Sequence, residues 1–169
     1  LRLDRDDDFM VTGKRHPFSY DYHVGFDSSG RILGLQMTQL VDCGFSADLS
    51  GPVSDRAIFH ADNAYFLEDV AIASYRCKLH TQSHTAFRGF GGPQGMMLIE
   101  TVMGDIARQL QLDPLDVRLR NLYGEAPRNT TPFGMTVEDN ILPELMTQLA
   151  NDCNYRQRRA EIAQWNAQN

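Results

Sequence analysis

With 169 residues, the chain is long enough for one domain with a real core, or for two small subdomains sharing one. Its 22 acidic residues against 16 lysines and arginines give a net charge of −6, which argues against nucleic acid as the main partner, and no apolar run approaches membrane-spanning length. Cys43, Cys77 and Cys153 are odd in number and far apart, which fits reduced thiols in a cytoplasmic protein better than a disulfide framework.

No charged-then-apolar leader opens the chain. Leu1-Arg2-Leu3 resembles part of a strand, so the chain is expected to begin inside a larger polypeptide; the tightest acidic run, Asp4-Arg5-Asp6-Asp7-Asp8, follows it. Residues 20–26 alternate between two faces, Asp27-Ser28-Ser29-Gly30 reads as a turn, and 31–41 is a second extended run, which predicts a hairpin. A helix is expected near 52–63, with Pro52 at its start, Val53, Ala57, Ile58 and Ala61 at helical spacing, and Arg56 on it. Another strand is predicted over 70–79.

From Pro93 to Leu110, the positions Met97, Leu98, Val102, Met103, Ile106 and Leu110 recur at three and four, which marks a buried helix face with its methionines as core filler. Asp113-Pro114 reads as an N-cap and first-turn proline for a short helix to Asn121, followed by a loop to Gly134. Two helices follow, near 142–151 and 155–166; Arg156, Arg158 and Arg159 on the last read as a solvated face. There is no internal repeat and no low-complexity segment. The predicted fold class is therefore α+β, with N-terminal antiparallel strands and a hairpin followed by a mainly helical half. It forms one unit over 1–169, strand-rich over 1–80 and helix-rich over 81–169.

The stretch that looks like a site is Thr85-Ala86-Phe87-Arg88-Gly89-Phe90-Gly91-Gly92-Pro93-Gln94-Gly95, at the mouth of the 93–110 helix. Its glycines let backbone approach a ligand, its helix end attracts anions and oxo groups, and Arg88 and Phe90 add a fixed charge and a flat apolar face. A phosphate-cradling P-loop would need Lys followed by Ser or Thr after the last glycine, where this chain has Met96-Met97. A dinucleotide fold would need a second strand bearing an acidic residue, and Asp113 opens a helix instead. Cys77, His80 and His84 have the spacing C-x2-H-x3-H but no fourth zinc donor nearby, while His16, His23 and His60 stand isolated. No Ser-His-Asp order or reactive-cysteine context is recognisable from spacing.

The run Phe87-Arg88-Gly89-Phe90-Gly91-Gly92 closely resembles the molybdopterin-binding subunit of the xanthine oxidase family of molybdenum hydroxylases. The segments 3–8, 12–18, 56–60 and 118–123 fall in the same family order, so the resemblance covers essentially the whole chain. Lys14 stands where a glycine is common and Gln82-Ser83-His84 replaces a leucine-rich or proline-containing approach, both similar to the bacterial form with a separate molybdenum-binding subunit.

The resemblance implies a piece of the molybdenum cofactor-binding domain of an oxidoreductase of the xanthine dehydrogenase type, hydroxylating hypoxanthine and xanthine toward urate in purine catabolism. It implies Arg88, through its main chain, beside the molybdenum, with Gly89 as a close cofactor neighbour. It implies Phe90 stacked on the purine and Arg56 hydrogen-bonded to it, where its fixed charge stabilises negative charge developing on a purine oxygen. Relatives acting on simple aldehydes lack that arginine, so Arg56 favours purines. The family's general-base glutamate, its iron–sulfur clusters and its FAD are expected outside this chain, on the rest of the molybdenum subunit or on an iron–sulfur/FAD subunit. The chain alone is expected to be inactive. The rival readings are a hydroxylase of aldehydes or other heterocycles, and a scaffold relative without chemistry.

Overall fold

The computed structural model describes all 169 residues, Leu1–Asn169. Leu1–Leu3 belong to no strand; they lead into a helix, α1 (Arg5–Val11), formed by the acidic run itself. The reason is local: Asp4 caps the helix by accepting from the Asp7 amide at 2.9 Å, and Asp6, Asp7 and Asp8 fill the first turn, where negative charge is favoured.

The expected hairpin is present as β1 (Phe18–Phe26) and β2 (Ile32–Gly44), antiparallel in register Phe18↔Val41 to Gly25↔Gly34, with a bulge before Phe26. The turn is held by Asp27, whose Oδ1 accepts from the amides of Ser29 and Arg31 and from the Ser29 hydroxyl. After α2 (Ser50–Phe59) the chain returns as β3 (Val70–Lys78) parallel to β2, giving the sheet order β1-β2-β3. A helical crossover carries the chain back to the end of the sheet at which β2 began, which is what a parallel neighbour requires. Along β2, Leu35, Met37, Gln39, Val41 and Cys43 are buried and the residues between them are not, so the helices cover one face of the sheet.

The covering helix is α3 (Gly92–Leu110), whose stripe Leu98, Ile99, Val102, Met103, Ile106 and Ala107 forms the core with Ile32, Leu35 and Met37. Met97, expected on that face, is 64% exposed; the helical turn gives the inward position to Ile99. Tyr20 of β1 donates to the Gln94 carbonyl at 2.7 Å, tying the first turn of α3 to the sheet, and burial pushes its hydroxyl up to about 12. It therefore remains a donor across the neutral range.

Next come α4 (Pro114–Asn121), capped by Asp113 as expected, α5 (Leu142–Asp152) and α6 (Tyr155–Gln168). On α6 Arg156 pairs with Asp116, and Arg159 Nε lies 3.4 Å from Asp113 Oδ2, in the exposed setting where such pairs add little stability. Asn121, fully buried at the end of α4, accepts from the Ile32 amide at 2.9 Å and donates to the carbonyls of Gly30 and Val117, both at 2.8 Å. It joins α4 to the hairpin turn. Asn121→Ala orphans the Ile32 amide and the Gly30 carbonyl, so it should cost about 2–3 kcal/mol, read as a lowered urea midpoint at unchanged slope.

Candidate functional site

Three pieces of chain meet at the start of α3: the second half of α2, the turn 87–91, and the strand entry at Lys14–His16. The turn is closed by Phe90 N–H donating to the Phe87 carbonyl at 2.8 Å and Gly92 N–H donating to Gly89 at 2.9 Å. Gly89, Phe90 and Gly91 have φ of +91°, +48° and +97°, three consecutive left-handed residues. For a phenylalanine this conformation costs on the order of 1–3 kcal/mol and persists only where the surroundings enforce it.

Gly91 is the point of enforcement. A Cβ there would sit 2.0 Å from the Val53 carbonyl oxygen and 3.2 Å from the Ala57 nitrogen, so the turn lies directly on the backbone of α2. One residue on, the His60 ring covers Gly92, with Cδ2 3.4 Å from where a side chain would begin. Phe90, half-buried by these contacts, borders a narrow crevice with Arg15, Val53, Phe87 and Gln94.

Arg88 and Gly89 are exposed at the tip of the turn, and their N–H groups donate to nothing within the chain. The Arg88 carbonyl accepts from Arg15 Nη2 at 2.5 Å. Arg56, exposed on α2, donates from Nε to His60 Nε2 at 3.2 Å, while its terminal nitrogens form no hydrogen bond or ion pair within the chain. A fixed positive charge is thus held by a ring that itself rests on the glycine turn. The structure brings the helix bearing Arg56 against the turn bearing Arg88, Gly89 and Phe90.

Sequence spacing left the five histidines and Arg15 without a role. His60 stands four residues after Arg56, the interval at which helical side chains meet, and that interval was the available signal. His16 bonds Ser50 at 2.8 Å through Nε2, and its ring centroid is 5.9 Å from that of His84, whose Nε2 lies 3.5 Å from Asp42 Oδ2. His84 is thereby turned into the core, while Cys77 is half-buried and His80 exposed. Arg15 meets Arg88 across 73 residues, a separation at which no local pattern operates.

Burial, and then the neighbouring His84, holds His16 below the ordinary imidazole value of 6.5, against a smaller opposing pull from Asp42 and Asp48. The unfolded chain therefore binds a proton at this position more readily than the folded one. Stability from this residue is complete above about pH 6.5 and is lost as pH falls below it. Urea midpoints should fall between about pH 7.5 and pH 5.5, and His16→Gln should flatten that slope.

Residues 1–122 match the family model described as the molybdopterin cofactor-binding domain. The chain is 44% identical over 167 residues to a xanthine dehydrogenase/oxidase of Gallus gallus, covering 99% of this chain and 12% of that relative. It is 37% identical over 169 residues to a nicotinate hydroxylase of Emericella nidulans, again 99% of this chain and 12% of the relative. Among solved structures it is similar to an aldehyde oxidoreductase from Desulfovibrio gigas, with TM-score 0.83, 26% identity, and coverage of 95% of this chain and 17% of that one.

Proposed function

The chain belongs to the molybdopterin cofactor-binding domain family of the xanthine dehydrogenase-like molybdenum hydroxylases, and from that membership we propose that it forms one wall of a purine hydroxylase active site. Because it spans 12% of the relatives it matches, the activity belongs to the larger enzyme, with the rest of the molybdenum polypeptide and an iron–sulfur/FAD module as its partners. The observation that carries the reading is the placement of an uncommitted guanidinium, Arg56, on the helix that underlies the glycine turn.

The residues suit the cofactor. Two main-chain donors without acceptors, at Arg88 and Gly89, sit on an exposed, conformationally forced turn, as the binding of oxo groups demands. The molybdenum–molybdopterin group, when bound, supplies the two-electron chemistry of hydroxylation. What this chain adds is orientation and charge. The Phe90 ring offers a flat apolar face to fix a purine plane, and Arg56 offers a charge that strengthens its hold as the substrate becomes more anionic.

A second reading, hydroxylation of aldehydes or of other heterocycles, is supported by the similarity to the Desulfovibrio aldehyde oxidoreductase and to the nicotinate hydroxylase. An assay of the full-length enzyme with xanthine, hypoxanthine and a simple aldehyde separates the two. Urate formation from xanthine is the expected result, and turnover restricted to aldehydes or pyridines would replace the purine reading with the second.

A further inference from the structure

Arg15 has no part in the reading above, yet its side chain reaches across to the glycine turn. Its Nη2 donates to the Arg88 carbonyl at 2.5 Å, and its guanidinium carbon lies 4.4 Å from the centroid of the Phe87 ring. Its Nη1 is buried without an acceptor and sits 3.8 Å from the point where a Cβ on Gly89 would be. Two successive residues of the turn, Phe87 and Arg88, are thus held from one side by a single planar group that also lies beside Gly89.

Packing on α2 holds the turn at Gly91, and its N-terminal side has no such backbone beneath it. Gly89, Phe90 and Gly91 are all left-handed, and the internal bonds that close them, Phe90 to Phe87 and Gly92 to Gly89, span only three residues each. Short bonds in an exposed turn lie at the low-stability end of a fold, where a contact from outside the turn has the most effect. Arg15 fixes the first of them: it stacks on Phe87, whose carbonyl closes the turn, and bonds the next carbonyl along.

We propose that Arg15 is a positioning residue that clamps the 87–91 turn and so sets the orientation of Phe90 and of the Arg88 and Gly89 amides. The proposal rests on the functional reading above only where substrate enters. A planar fork that stacks and hydrogen-bonds at once is a guanidinium property; a lysine can supply the charge but not the geometry.

The test is hydrogen exchange by mass spectrometry on the full-length holoenzyme, comparing peptides over 86–93 with peptides over β2. Arg15→Ala should accelerate exchange in 86–93 by about tenfold, the loss expected for a charge-assisted bond, and leave β2 unchanged. In the same variant KM for a purine should rise about tenfold with kcat within about threefold. Unchanged exchange in 86–93, equal acceleration in both regions, or a fall in kcat at constant KM would each overturn the clamp. Should Arg15→Ala fail to accumulate, Arg15→Lys carries the same measurement with the same outcomes. Exchange does not depend on substrate, so its failure counts against Arg15 alone, whereas absent purine turnover in the unmodified enzyme counts against the purine reading.

Discussion

Arg56→Ala in the full-length enzyme should lower kcat/KM for xanthine by about 10²–10³-fold and leave turnover of a simple aldehyde within a few fold, the loss typical of one donor aimed at a developing oxyanion. The asymmetry follows from where charge appears. A purine under attack at a ring carbon spreads negative charge onto an exocyclic oxygen, and an aldehyde has no such remote atom for the guanidinium to meet. Arg56 is suited to the task because its terminal nitrogens are committed to nothing else in the chain, while its Nε is held by His60. Steady-state kinetics on the two substrates, with molybdenum content measured in each preparation, provide the check. Equal losses on both would remove Arg56 from substrate binding and assign it to the architecture of α2.

Gly91→Ala should destabilise the fold by about 3–5 kcal/mol, combining a left-handed backbone penalty with overpacking. A methyl group there would have to occupy space 2.0 Å from the Val53 carbonyl oxygen, and neither α2 nor the turn can retreat without breaking the contact that positions both. For a chain of this size the midpoint should fall by roughly 10–15 °C. Gly104→Ala, in the middle of α3, is the matched control: nothing lies within 4 Å of its added methyl, and a helix interior prefers alanine to glycine by about 0.5–1 kcal/mol. Thermal unfolding of the two variants side by side should therefore move in opposite directions. A small loss at Gly91 would mean that the turn is not pressed onto α2 as the structure has it.

Much of the architecture was legible because its signals are local. The hairpin is written in the alternation of 20–26, in the Asp27 turn and in the extended run that follows. The Asp113-Pro114 pair announces α4, and a three-and-four spacing announces α3. The failures have the same logic. Leu1–Leu3 look like a strand only if the acidic run behind them is ignored as a helix former, and the capping by Asp4 decides that question within four residues. Met97 and Ile99 differ by two positions on a helix, which periodicity with a tolerance of one residue does not separate.

The glycine stretch shows the division most clearly. Its composition marks it as a candidate site and its motif marks the family, because both are properties of consecutive residues. Nothing in those residues says that the turn is pressed onto α2, that His60 links Arg56 to it, or that Arg15 reaches the Arg88 carbonyl from 73 positions away. The sequence by itself determined most of the elements, the family and the residue types of the candidate site. Only the tertiary structure decided which of them touch, since contact between distant segments depends on how helices pack over a sheet, and packing has no signature in any short stretch of chain.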